Sequence, residues 1–418
     1  MSGPQVHVVG AGLAGLSAAA ALAESGAKVV LWEGAAQAGG RCRSYYDPVL
    51  EHLIDNGNHF VLAGNHAVMR YVRMIGSQNA LVGPERPITS FVDITKGRRW
   101  AITPSLGALP IWLFDKARRV PDTSPADYLE LVKILVAGPD QTLGEVLSGA
   151  GPLWERLLHP FFLGALNTEP EGASARLAAA LVRETFAKGG RAYRTRIAHP
   201  TLAAAFVDPA LDFIAARGGE VRLGRRVRAL RFEGDRVSGL ETPDGVVSLG
   251  QEDQLIVAAP PWSATELIPD LTAPDQFRAI VNAHFKTPGP VGAPGMLGVI
   301  GGVAQWVFSF PDRISVTVSG ADAIVDRSRE DLAETLWADV QRALDLKSPL
   351  PEWQIVKERR ATFAATVQQD ARRPDARTRW RNLTLAGDWV QTGLPATIEG
   401  ALRSGFRAAA LAGGVYSR

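Results

Sequence analysis

A chain of 418 residues, 46% hydrophobic and 21% charged, has the composition of an ordinary soluble globular protein, with material for roughly two or three domains. Its 45 Lys and Arg against 43 Asp and Glu leave a net charge of +2, too little for the field that a nucleic-acid partner requires. The one cysteine, Cys42, excludes an internal disulfide and a cysteine-cluster metal site, which suits a reducing, cytoplasmic setting. No apolar run approaches the ~18 residues of a spanning helix.

Gln5 to Glu33 predicts a complete β-α-β unit. An apolar strand (Val6, Val8, Val9) runs into Gly10, Gly12 and Gly15, a helix follows from about Ala14 to Ser25, and a second strand (Val29 to Trp32) ends in Glu33. Gly10 suits the tight turn, Gly12 the approach of backbone to a pyrophosphate, and Gly15 close helix–strand packing. The unpaired amides of Gly12, Leu13, Ala14 and Gly15 then face the phosphates at a helix N-terminus. Glu33 is placed to accept from both ribose hydroxyls, which favours an unphosphorylated ribose, as in FAD or NAD. Val6 to Val9 reads as a buried strand and not as the apolar stretch of a secretory signal.

Six residues after Glu33 come Gly39, Gly40 and Arg41, a second backbone approach to the same dinucleotide with a cation able to reach a phosphate or sugar oxygen. This order of motifs resembles the FAD-binding amine oxidase superfamily. The resemblance implies an α/β fold, in which a Rossmann-like FAD-binding domain of amine oxidase or glutathione reductase type is interleaved with a mixed α+β substrate domain. Residues 1–64, 202–261 and 375–418 are expected to form the first, and residues 65–201 and 262–374 the second. The chain would return to FAD near its C-terminus. Gly387 and Asp388 follow a strand at Leu383 to Leu385, with Asp388 on the ribityl chain. A helix starting near Ala396 would set Thr397 and Ile398 at the flavin pyrimidine end. Val227 opens the segment that, by the same resemblance, meets the adenine through its backbone.

Between these pieces the periodicity predicts a hairpin turning at Thr95 to Gly97, a capping box at Thr142 and Glu145, and a helix over Leu202 to Arg217. Further strands are expected at Ile280 to Phe285, Gln305 to Phe310, Ile314 to Ser319 and Ile355 to Phe363, with a helix at Arg329 to Leu344. Ser105 to Phe114 and Leu157 to Pro170 are apolar and aromatic. They read as core helices, as walls of an apolar tunnel, or as segments dipping into a membrane surface.

Within the superfamily, Asp55 to Gly64, Leu166 to Val182 and Ala386 to Gly405 resemble the squalene-associated branch, the hydroxysqualene dehydroxylases. The strand Ile280 to Pro290 is less hydrophobic than that branch leads one to expect. The resemblance implies reduction of hydroxysqualene, a C30 isoprenoid, to squalene by reduced FAD, with the electron donor left open. Because hydroxide is a poor leaving group, the site needs a general acid beside the flavin. His59 is the first candidate, having a pKa suited to neutral pH, and Asp55 the second. Asn58 lies in the same Asp55–Phe60 segment, Trp389 is a candidate aromatic face for an allylic cation, and Asn167 for orienting the hydroxyl. So apolar a substrate implies peripheral attachment to the inner face of the cell membrane. A carotenoid-type desaturase, an amine oxidase and a non-catalytic lipid-binding protein on the same scaffold remain alternatives. Against the amine oxidase stands Thr397, where those enzymes usually carry an aromatic.

Overall fold

The computed structural model describes residues 4–413. Its organising unit is the expected one: β1 (Gln5–Val9), α1 (Leu13–Glu24) and β2 (Lys28–Trp32), with β1 and β2 parallel. Every side chain of α1 except that of Glu24 is buried, so this alanine-rich helix is enclosed on all sides. Strands from distant parts of the chain complete a five-stranded parallel sheet. Glu220–Arg222 lies outside β2, while Gln254–Val257 and then Leu383–Leu385 lie beyond β1. The Ile398–Gly413 helix packs on α1, where the site of a Cβ on Gly405 lies 2.1 Å from the Ala14 carbonyl; only glycine permits that approach.

The second layer is a seven-stranded mixed sheet, whose order from one edge is Trp353–Phe363, Phe277–Phe285, Ile314–Val318, Trp306–Ser309, Met296–Ile300, Thr89–Asp93 and Arg98–Ile102. The hairpin at Thr95 to Gly97 joins the last two, and the Arg329–Leu344 helix covers the face opposite the 55–58 loop. A short sheet made of Phe60–Leu62, Leu81–Val82 and Thr195–Ala198 stands between the layers. The His66–Met74 helix buries Val68, Tyr71 and Val72 in the same core as α1.

Two sequence expectations are corrected. The helix expected over Leu202 to Arg217 is two, Leu202–Phe206 and Asp208–Ala216, because the amide-less Pro209 starts the second. Ser105 to Phe114 is not a helix, and only Ile111–Phe114 forms a 3-10 turn, with Gly107 and Pro110 breaking the rest. In the other apolar segment a π-helical turn, Trp154–Leu158, runs into the His159–Leu166 helix, next to Pro160, which removes a donor from the ladder. The Thr142 and Glu145 capping box is present as expected.

Candidate active site

The cofactor end of the site is built mainly from backbone. A Cβ on Gly15 would lie 1.8 Å from the Gly10 carbonyl oxygen, so helix and turn touch there as the glycine pattern predicts. At Gly12 a Cβ would meet nothing within 4 Å, leaving the approach to the turn open. Glu33 braces both sides of the crevice: Oε2 accepts from the Ala11 amide and Oε1 from the Ala35 amide, each at 2.8 Å. Gly39 and Gly40 both have positive φ and cross over Gly12, with the Gly39 amide donating to the Ala11 carbonyl at 2.7 Å. Val227 is buried, and among the described residues its amide and carbonyl have no hydrogen-bond partner, the condition expected of a backbone edge awaiting a planar base. Arg41 and Asp388 pair at 2.7 Å. Gly387 donates its amide to Ser404, and Thr397 accepts from the Gly400 amide, capping the helix that starts at Ile398. An open turn, free helix-end amides and an unpaired backbone edge in one crevice fit FAD.

The substrate side is built from side chains. Asp55 to His59 crosses the seven-stranded sheet and is held by a buried polar network. Asn58 donates to Thr317 at 3.2 Å, Thr317 donates to Asn282 at 2.8 Å, and Nε2 of His284 lies 3.0 Å from the Asp55 carbonyl, with Ser315 on Nδ1 at 2.9 Å. This explains the modest hydrophobicity of the 280–290 stretch: Asn282 and His284 are anchors. Beyond the loop a lane of packed aromatics runs along the sheet, with Phe60 on Trp306, Trp306 on Phe91, and Phe91 on Trp100 at centroid distances of 6.1, 5.9 and 5.7 Å; Phe60 is exposed, whereas Phe91 and Trp306 are buried in the core. The His159–Leu166 helix closes over Trp306 through Gly164, and Phe161, Phe186 and Tyr193 continue the aromatic surface toward Ser105, whose carbonyl accepts from Gly190.

Against this geometry the candidate catalytic residues separate. His59 is half-buried in the cofactor-side loop and makes no side-chain hydrogen bond to any described residue, so its ring is available to a ligand. Its expected pKa near neutrality is corrected: burial, reinforced by the Arg41 charge, lowers it to about 4, and the imidazole is neutral at pH 7. Asp55 is buried, and burial raises its pKa. Its Oδ1 accepts from Ser44 at 2.6 Å and from the Leu202 amide at 2.9 Å, and its Oδ2 faces Arg313, so it is committed to holding the next helix. Asn58 is a tether. Asn167 is the left-handed end of its helix; it accepts from Gly320 and donates to Thr362 and the Arg278 carbonyl, which leaves nothing to orient a hydroxyl. Trp389 is 2% exposed and donates to the Ala259 carbonyl, so it presents no face to a substrate.

Two contributors were not identified from the sequence. Arg373, its side chain fully buried and paired with Asp370 at 3.1 Å, donates to the carbonyls of Asp388 and Val390, strapping the 388–392 loop to the Val367–Ala371 helix. Glu399, one residue into the C-terminal helix, accepts from the Ala67 and Val68 amides and caps the His66–Met74 helix. The Glu before Gly-Ala was visible as a motif, but its partner 332 residues away was not.

The comparisons agree with this geometry. The family model described as flavin containing amine oxidoreductase matches residues 13–412. A hydroxysqualene dehydroxylase of Rhodopseudomonas palustris is 51% identical over 97% of this chain and 97% of its own, and one of Zymomonas mobilis is 47% identical over 97% and 98%. Cyclohexylamine oxidase from Brevibacterium oxydans, 15% identical, superposes with a TM-score of 0.70 over 99% of both chains and so shares the fold. The chain belongs to the family of flavin-containing amine oxidoreductases, in the group whose curated members are named hydroxysqualene dehydroxylase.

Proposed function

We propose that this protein uses FAD to reduce hydroxysqualene to squalene. The observation that carries the reading is the identity, maintained over nearly the whole chain, with proteins named for that activity. The site supports it: an apolar, aromatic surround adjoins a loop with a single uncommitted polar side chain, His59. When bound, reduced FAD supplies the hydride that forms the new C–H bond. The chain supplies the rest. The cradle of Gly10, Gly12, Gly15, Glu33, Arg41, Val227, Asp388 and Ile398 holds the cofactor, and the aromatic lane excludes water. The neutral imidazole of His59 positions the substrate hydroxyl by hydrogen bonding. Anaerobic photoreduced protein mixed with hydroxysqualene should reoxidise its flavin and yield squalene in equal amounts. Flavin reoxidation without squalene, or neither, would overturn the reading.

The same reading places the protein at a bilayer surface, where such a substrate resides. No helix of the described residues is long and apolar enough to cross a membrane. Leu109, Ile111 and Phe114 are 75%, 65% and 76% exposed beside the outer end of the lane, and Leu129, Val132 and Val136 of the neighbouring 125–136 segment are exposed as well. Trp112, grouped with this surface on sequence grounds, is buried edge-on against Tyr128 at 5.5 Å and joins the two segments instead. These six side chains form the proposed membrane contact.

A further inference from the structure

The Trp353–Phe363 strand pairs with Phe277–Phe285 with a break in register. Arg278 faces Thr362 and Ile280 faces Glu358, so the outer strand carries two extra residues at this point. Such bulges re-aim the residues beside them. Here the bulge turns two groups toward the cofactor side: the Ala361 carbonyl accepts from Arg41 at 2.6 Å, and Oε2 of Glu358 accepts from Asn56 at 3.3 Å. Glu358 is half-buried, and among the described residues it has no ion-pair partner, and its Oε1 has no hydrogen-bond donor. On the inner strand, Asn282, two residues from Ile280, reaches the same loop through the Asn58 amide.

We propose that Glu358 is the catalytic acid that protonates the departing hydroxyl, an assignment that rests on the dehydroxylase reading. The step balances as follows. The allylic C–O bond breaks with its electron pair on oxygen, the Glu358 O–H proton passes to that oxygen, and water leaves. The carbon is reduced by two electrons as it takes up hydride from reduced FAD, which is oxidised. The charged and titratable groups facing Glu358 on this side include Arg41, which pairs with Asp388 and also interacts electrostatically with Glu358, and His59, whose imidazole is neutral at pH 7 and so has already lost the proton an acid would give.

The test uses holoenzyme. Glu358→Gln should keep FAD and slow single-turnover conversion of hydroxysqualene by roughly 10²- to 10⁴-fold. Independently of turnover, the infrared difference spectrum of oxidised holoenzyme with squalene added should contain a protonated-carboxyl band that E358Q lacks. A rate within about threefold of wild type, or no such band in the wild type, would overturn the proposal. Should E358Q lose FAD, Glu358→Asp, which withdraws the carboxyl by one methylene, is expected to slow turnover by roughly 10²-fold, and a wild-type rate in it would overturn the assignment. Wild-type holoenzyme that makes no squalene while retaining the band would overturn the underlying reading instead.

Discussion

The two halves of the site are made of different material. At the cofactor end the work is done by peptide groups and absent side chains: glycines at 10, 12, 15, 39 and 40, open amides, and one acid that braces both walls. At the substrate end a short loop is held by Asn282, His284, Ser315 and Thr317, from strands more than 200 residues away. At Gly10 and Gly15 no larger residue fits, since a Cβ would strike backbone within 3 Å, while a polar anchor can be replaced at the cost of its hydrogen bonds. The first half should therefore fail outright when altered, and the second by degrees.

The largest effect is expected from Gly15→Val. Its Cβ would overlap the Gly10 carbonyl, and overpacking against rigid backbone costs roughly 3 kcal/mol or more. Colourless protein with a sharply lowered Tm is the expected result, and a yellow, stable variant would break the distinction. His284→Leu strips partners from the Asp55 carbonyl and from Ser315, a loss of about 1–3 kcal/mol for each buried group left unpaired. It should retain FAD while turnover drops, which separate flavin-retention and rate measurements will read.

His284 also sharpens the comparison through pH. Burial, with help from Arg313, lowers its pKa to about 3, whereas in the unfolded chain it returns to about 6.5. Between those values the unfolded state binds the extra proton. Stability is therefore full above pH 6.5 and falls as pH drops toward 3, by on the order of a few kcal/mol. Urea unfolding at pH 4.5 and pH 7 should show this slope in the wild type and a shallower one in His284→Gln. Glu33→Ala, which removes two amide partners and the proposed ribose contacts, should weaken FAD roughly 10- to 100-fold without unfolding the chain, as measured by apoprotein titration. The smallest effect on the fold belongs to Ile111→Glu with Phe114→Glu. Both side chains are exposed, so Tm should hold while co-sedimentation with liposomes is lost; undiminished sedimentation would remove this surface from the membrane contact.

What the sequence revealed follows the same division. The β-α-β unit, Glu33, Gly39 to Arg41 and the Gly387–Asp388 turn were legible because the spacing of small residues is itself the mechanism, although that Arg41 meets Asp388, 347 residues on, was not. The 280–290 stretch looked merely less apolar, since nothing local says that Asn282 will meet Asn58. Asn167 and Trp389 were misread for the same reason: a buried amide and a buried indole resemble site residues until Gly320, Thr362 and Ala259 arrive to satisfy them. His59 was given the wrong charge, because its neighbour Arg41 and its burial are properties of the fold. Glu358 was invisible, as a change of register on one strand has no motif.

Cys42 sits in the short turn that follows Gly40 and Arg41, 5% exposed, its thiol pushed up to about 12 by burial and its amide bound to Gly39. Because it is the only cysteine in the chain, a thiol-reactive dye has one place to go and can reach it only when this turn lifts away. The labelling rate is thus a built-in clock for opening of the crevice. Comparing it with and without FAD would measure how firmly the cofactor clasps a turn that contributes almost nothing but backbone.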